Sequence, residues 1–390
     1  MLASGIAAVV VIGAVLHYTS ALLSIGAAYK AKTLCSGVFV AHRDPRSVLD
    51  TDLTADDLSM LRHIDVHIDY DEKSVTADFL GMLKRKATYR QGLGCSLEYE
   101  THKAFSSSEL PITMAKSKAM PEKQNPLFKA ALDWAFSEPD PARLRRTRAV
   151  VVLHKGRIVA ERYAPGFDKD TPLLGWSMTK GVMNALTGIM VKEGRLSLTG
   201  PLPVQEWREP DDPRRKITLD HLLRMSSGLR FDEDDGNPLG DVTYMLLGVP
   251  DMGSFAARKS LEAEPGKMWS YSSGTTNIIG RIIRQSVGDA NYVGLPRREL
   301  FEPLGMDSAV IEQDAAGTFV GSSLMYATAR DWARFGQLYL QDGVWAGRRI
   351  LPEGWVEYAF ARKFVFYDGS RDDVDIDDGP FARLGVSLVW

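Results

Sequence analysis

The chain predicts an α+β fold, and three observations carry the prediction. Ala149-Val150-Val151-Val152-Leu153 and Ile158-Val159-Ala160-Glu161-Arg162-Tyr163 are two apolar runs that meet at Lys155-Gly156, the mark of an antiparallel hairpin. From residue 182 to 345 the apolar residues recur mostly at helical spacing. Upstream, Val66, Ile68, Tyr70 and Val75, Ala77, Phe79 alternate on either side of Asp71-Glu72-Lys73, a second hairpin with one buried face. Strands stand beside strands and helices follow helices, which favours α+β over an alternating βαβ arrangement.

At 390 residues the chain can bury a large core and has room for more than one domain. Lys+Arg 47 against Asp+Glu 50, with no basic block, gives no sign of a nucleic-acid partner. Hydrophobic content of 45% and 34 glycines are ordinary for a globular protein and name no activity.

The first element in order is apolar. From Leu2 to Tyr29 there is no Asp, Glu, Lys or Arg, and at 1.5 Å per residue the run makes about 42 Å of helix, enough to cross a hydrocarbon core of ~30 Å with tilt. Residues 1–32 therefore read as a membrane anchor or an uncleaved signal. A cleaved signal peptide expects a basic first region and a shorter apolar core, so the anchor is favoured. Orientation is contested. Lys30, Lys32, Arg43 and Arg46 follow the span and argue for a cytoplasmic body. Cys35 and Cys95, the two cysteines, lack His or Cys partners for zinc; a disulfide between them would instead need an oxidising compartment. The catalytic body is accordingly expected outside the cytoplasm, behind a single N-terminal span.

Residues 33–100 read as a small accessory β-rich unit, with a short polar helix at 55–60, the first hairpin and a third strand through Ala87 to Arg90. Residues 101–125, rich in Ser, Lys and Pro, read as a linker. Asn125-Pro126 supplies a cap and a first-turn proline for the helix that opens the main domain, 126–390. Later helices span Leu219–Met225, ended by Gly228, and Thr328–Leu340, ended by Gly343.

Trp176-Ser177-Met178-Thr179-Lys180-Gly181 opens the apolar helical run Val182, Met183, Ala185, Leu186, Ile189. Residues i and i+3 are neighbours on a helix, so Ser177 and Lys180 project from one face. A serine hydroxyl is a poor nucleophile at neutral pH, and an adjacent amine can hold its proton only if the amine is neutral. That requires the lysine to fall from about 10.4 to roughly 7–8, which burial and the positive end of a helix jointly supply. Tyr271, in Tyr271-Ser272-Ser273-Gly274 after Glu264-Pro265-Gly266, is a candidate proton shuttle, provided a cationic neighbour lowers its pKa.

The order of motifs is more specific than any one of them. The hairpin is followed by Ser177-Met178-Thr179-Lys180, Leu222-Leu223-Arg224-Met225-Ser226-Ser227-Gly228, Tyr271-Ser272-Ser273, Pro303-Leu304-Gly305-Met306 and Ala329-Arg330-Asp331-Trp332-Ala333-Arg334-Phe335-Gly336. Over about residues 125–390 this resembles the class C β-lactamase-like serine hydrolases, and within them the esterase and amidase branch that includes 6-aminohexanoate-dimer hydrolase. The resemblance implies a β-lactamase/penicillin-binding-protein-like fold, an antiparallel sheet with flanking helices plus a helical region. It implies Ser177 as nucleophile, Lys180 as its proton-holding partner, Tyr271 as general base and acid, and no cofactor. The substrate it implies is a small-molecule ester or amide. Where many relatives have Tyr-x-Asn this chain has Ser273, whose hydroxyl is the expected substrate contact.

The family's late-strand Lys-Thr-Gly or His-x-Gly motif has no counterpart, and the sequence ends on the alternating run Val386, Leu388, Trp390. The expectation is a sheet lacking its closing strands. Rival readings are a penicillin-binding or D-amino-acid peptidase, a β-lactamase, and a catalytically dead cell-envelope binding protein. His221 reads as a capping or packing histidine, Asp232-Glu233-Asp234-Asp235 as a solvated acidic loop, and no spacing suggests a metal.

Overall fold

A computed structural model describes residues 2–54, 61–100 and 125–361. The expected helix at 55–60, nearly all of the 101–125 linker and the run Val386, Leu388, Trp390 lie outside the described residues.

Helix α1 runs unbroken from Leu2 to Cys35 and is the one described helix long and apolar enough to cross a membrane. Its two halves differ. The large side chains from Val9 to Tyr18 are between 57% and 69% exposed, whereas Ala27, Ala28, Ala31, Leu34 and Cys35 are fully buried. Those small residues let the helix lie close on a four-stranded antiparallel sheet, β1 (Asp65–Asp69), β2 (Ser74–Phe79), β3 (Met82–Arg90) and β4 (Gly94–Leu97), in the order β1-β2-β3-β4. The expected division at 32/33 therefore falls inside one helix, because Ile25, Ala27, Ala28, Ala31, Leu34 and Cys35 all belong to the small unit's core. Cys35 and Cys95 are joined by a disulfide, Cα atoms 6.1 Å apart, which ties the end of α1 to β4. The two lysines of the expected basic flank both turn inward. Lys30 Nζ donates to the carbonyls of Leu61 at 2.9 Å and Ile64 at 2.6 Å, and Lys32 pairs with Glu312. A short α2 (Pro45–Asp52) completes the unit.

In the main domain, α3 (Lys129–Ala135) follows a turn capped by Asn125 and leads to the hairpin β5 (Ala149–His154) and β6 (Arg157–Tyr163). Lys155 and Gly156 both take positive φ at its tip, the two-residue turn whose twist matches the strands. A three-stranded sheet, ordered β7-β9-β8, is made by β7 (Pro172–Leu174), β8 (Val310–Ile311) and β9 (Met325–Thr328). Among the described residues β5 and β6 pair only with each other.

The helical region comprises α4 (Met178–Lys192), α5 (Leu219–Leu223), α6 (Asp241–Gly248), α7 (Met252–Ala257), α8 (Ser273–Val287), the short α9 (Asp289–Tyr292) and α10 (Glu302–Leu304), and α11 (Ala329–Leu340). Val182, Leu186 and Met190 of α4 meet Ile278 and Ile282 of α8 and Leu338 of α11 in one large core. Arg330 of α11 clamps Glu161 of β6 through two hydrogen bonds, at 2.6 and 3.0 Å, and so fixes the hairpin to the helices. His221 completes the cap that Thr218 places on α5, its ring Nδ1 accepting the Thr218 N–H at 3.2 Å while its backbone N–H donates to the Thr218 hydroxyl.

Candidate active site

Ser177 stands at the N-cap of α4, at the end of a tight turn. The Met178 N–H donates to the Gly175 carbonyl at 3.0 Å and the Thr179 N–H to that of Trp176 at 2.9 Å. Trp176 adopts φ 43°, a left-handed conformation that costs a non-glycine residue about 1–3 kcal/mol and turns the next side chain outward. Gly175 holds the turn in place, its N–H donating to the Met325 carbonyl of β9 at 2.8 Å. No side chain fits there, because a Cβ would lie 2.1 Å from Cζ2 of Trp332.

One turn on, Lys180 is 4% exposed. Its Nζ lies 3.0 Å from Ser177 Oγ and donates to the Ser322 carbonyl at 3.0 Å. Burial pushes the ammonium down to about 8, against the Glu233 carboxylate, which favours the charged form. The Tyr271 hydroxyl donates to Ser177 Oγ at 2.8 Å, and its ring lies 4.7 Å from Lys180 Nζ. Burial raises the Tyr271 phenol, the hydrogen bond to Ser177 offsets part of this, and Glu233 adds to the rise. The lowering that the shuttle role called for is thus reversed: the burial of Tyr271 and the Glu233 carboxylate together outweigh the Ser177 hydrogen bond and favour the neutral phenol.

Ser273, the expected substrate contact, is 2% exposed and opens α8 with its hydroxyl donating to Glu233. Glu233 also accepts the Ser273 N–H at 2.7 Å, so one acid of the loop read as solvated points inward and occupies the Ser273 hydroxyl. Ser322 was not singled out by the sequence. Its N–H donates to the Asn277 side chain at 3.2 Å, and its carbonyl holds Lys180. Neither Glu233 nor Ser322 sits in a pattern of its own; the acidic run flagged the first only as charge density.

Ser177 opens onto a cavity of about 650 Å³. Leu174, Trp176 and Leu324 line it on the side of the three-stranded sheet and α4, Val242 and Leu246 of α6 on another, and Leu22, Ile25, Gly26 and Tyr29 of α1 on a third.

A hydroxyl held between a buried amine and a phenol, at the start of a core helix in an α+β scaffold, is the arrangement that a Ser-x-x-Lys pattern calls for. A family model described as Beta-lactamase matches residues 136–369, more than half of the sequence, and the chain belongs to that family. It is 27% identical over 230 residues to 6-aminohexanoate-dimer hydrolase of Paenarthrobacter ureafaciens. That match covers 55% of this chain and spans 57% of the relative's length. A solved structure from Bacillus anthracis, described provisionally as a 6-aminohexanoate-dimer hydrolase, superposes with a TM-score of 0.52 at 24% identity, over 62% of this chain and 67% of that one. The fold expected from the sequence is the fold of these proteins.

Proposed function

We propose that this chain is a membrane-anchored serine hydrolase that cleaves an ester or amide through an acyl-enzyme on Ser177. The observation that carries the reading is the placement of Ser177 Oγ between Lys180 Nζ at 3.0 Å and the Tyr271 hydroxyl at 2.8 Å, with Lys180 lowered to about 8. A neutral Lys180 accepts the Ser177 proton as Oγ bonds to the substrate carbonyl carbon. The N-terminal end of α4 favours the oxyanion that results. As the C–O or C–N bond breaks, the proton lodged on Lys180 reaches the leaving group by way of the Tyr271 hydroxyl. Water then attacks the acyl-enzyme, its proton returns to Ser177, and the products are an acid and an alcohol or amine.

Amide or ester, and which ones, belongs to the same proposal; the 6-aminohexanoate-dimer hydrolase likeness supports the amidase and esterase branch. The exposed apolar half of α1 supports anchoring, and the buried Cys35–Cys95 disulfide supports a body outside the cytoplasm. A fluorophosphonate probe followed by intact mass and peptide mapping tests the nucleophile. Labelling is expected on Ser177 and is expected to vanish in Ser177→Ala; a well-folded chain that never labels, or labels equally as Ser177→Ala, ends the reading.

A further inference from the structure

The cavity beside Ser177 shares a wall with the helix that is apolar enough to cross a membrane. Leu22, Ile25, Gly26 and Tyr29 line it from α1, directly after the exposed apolar turns of Val9 to Tyr18. With α1 as the proposed membrane anchor, a charge marks the level at which it would leave the hydrocarbon. Arg85 of β3 donates to the Ser24 hydroxyl at 3.2 Å and to the Leu247 carbonyl at 2.9 Å, and a guanidinium is costly below the headgroups. From Leu2 to Ser24 the helix is about 35 Å long, a span with modest tilt. Leu22, Ile25 and Gly26 lie within one turn of Ser24, so the α1 edge of the cavity lies at the bilayer surface.

The inside of the cavity is suited to hydrocarbon. Two ionic side chains reach it from the N-terminal unit, and both are neutralised: Lys32 pairs with Glu312, and Asp52 pairs with Arg43 and Arg148. What remains around them is largely Leu, Ile, Val and aromatic surface, with one further acid, the exposed Asp235. Trp176, half exposed beside Ser177, adds an aromatic of the kind enriched at membrane interfaces.

We infer that the substrate of this site is an amphiphile, an ester or amide carrying a long hydrocarbon chain that lies in the α1-walled cavity and enters from the bilayer surface. The inference rests on the proposed function, with Ser177 as nucleophile and α1 as membrane anchor. A soluble polar substrate has no use for a catalytic cavity built against a spanning helix, whereas a chain drawn from the bilayer keeps apolar surroundings from membrane to Ser177. Each methylene that moves from water into such a cavity favours binding by up to about fourfold.

The full chain, reconstituted in phosphatidylcholine nanodiscs, is offered p-nitrophenyl esters of C2, C8 and C12 acids and, to place the chain on the leaving side, acetate esters of C2, C8 and C12 alcohols. In one series kcat/KM is expected to rise at least ~10-fold from C2 to C12. Thr243→Trp, which fills the cavity from α6, is expected to remove most of that rise. Leu22→Gln, on the half-exposed edge, is expected to reduce it without disturbing the core. Two flat series overturn the inference, and so does a rise that survives both variants, since partition into the nanodisc then explains it. Ser177-dependent turnover of the C2 ester with flat series defeats this inference alone; C2 turnover that persists in Ser177→Ala, or no turnover of any ester, defeats the assignment of Ser177 and this inference with it.

Discussion

The Glu233 carboxylate accepts the backbone N–H of Ser273 at 2.7 Å, 40 residues along the chain, and takes the Ser273 hydroxyl as well. It thereby places a negative charge near Lys180 and Tyr271, where it favours ammonium over amine and phenol over phenolate.

The pH dependence follows from that placement. Catalysis needs Lys180 neutral, so kcat/KM is expected to be low in acid and to rise through about pH 8, the value to which burial brings the lysine. Glu233→Gln keeps an acceptor for Ser273 but deletes the charge that holds Lys180 up. Its acid limb should therefore move to lower pH. A pH profile of kcat/KM on a neutral ester decides it: a limb that stays put or moves upward means that Glu233 does not act on Lys180.

Lys180→Arg and Tyr271→Phe separate the two groups that hold Ser177. Arginine fits the stem but stays charged, so it cannot accept the proton, and a loss of about 10²–10⁴ in acylation rate is expected. Phenylalanine keeps the ring near Lys180 while removing the hydroxyl 2.8 Å from Ser177, and a similar loss is expected in turnover. Pre-steady-state kinetics read both. Unchanged acylation in Lys180→Arg would show that the proton goes elsewhere.

How much of this was legible depended on sequence separation. Ser177 and Lys180 are three residues apart, and helical spacing alone brings them together. The helix ends were less legible: α5 stops at Leu223 and α11 at Leu340, and the chain leaves each through a non-glycine of positive φ, Met225 at 55° and Asp342 at 50°, ahead of the expected breakers Gly228 and Gly343. Tyr271, 94 residues from Ser177, was reachable only through the order of motifs, since nothing local distinguishes it from a packed aromatic. Glu233 was hidden by its neighbours: three adjacent acids suggest a solvated loop, and one of the four faces inward only because α8 presents Ser273 to it. The four residues of β4 are too few to show an alternating pattern. Lys30 and Lys32 read as a basic flank, because their acceptors, two carbonyls beyond residue 60 and a glutamate 280 residues away, leave no local trace.

That last pair supplies a stability prediction. Glu312 is fully buried and accepts from Lys32, from the Ser36 hydroxyl at 2.8 Å and from the Cys95 N–H at 2.7 Å, so one carboxylate fastens α1 and β4 to the main domain. Glu312→Ala leaves the Lys32 ammonium buried without its counter-charge, at an expected cost of about 3–5 kcal/mol. Lys32→Met in the same background should recover part of it. Removing the disulfide by Cys95→Ser is expected to cost about 2–5 kcal/mol. Thermal unfolding of the detergent-solubilised chain measures all three. A Glu312→Ala protein that melts like the parent would show that the N-terminal unit is held by its apolar contacts alone.

The turn that presents Ser177 depends on a contact the family motif did not explain. In Ala329-Arg330-Asp331-Trp332, Arg330 clamps the hairpin, while the Trp332 indole closes over Gly175, where a Cβ would lie 2.1 Å from Cζ2 and 2.6 Å from Cη2. Gly175→Ala must therefore push the indole away or shift the turn. Overpacking of this kind costs about 1–3 kcal/mol. Because Ser177 is two residues on, the displacement is expected to lower kcat at least ~10-fold, since a misplacement of 1 Å at a reacting group is enough for such losses. Trp332→Phe removes the far edge of the indole and makes room for the methyl. Alone it should lower stability with a smaller effect on kcat; with Gly175→Ala it should restore kcat above that of Gly175→Ala by itself. The double-mutant cycle reads the coupling directly. Strictly additive losses would mean that the turn is set by the Met325 hydrogen bond and the strained Trp176, and that Trp332 merely covers it.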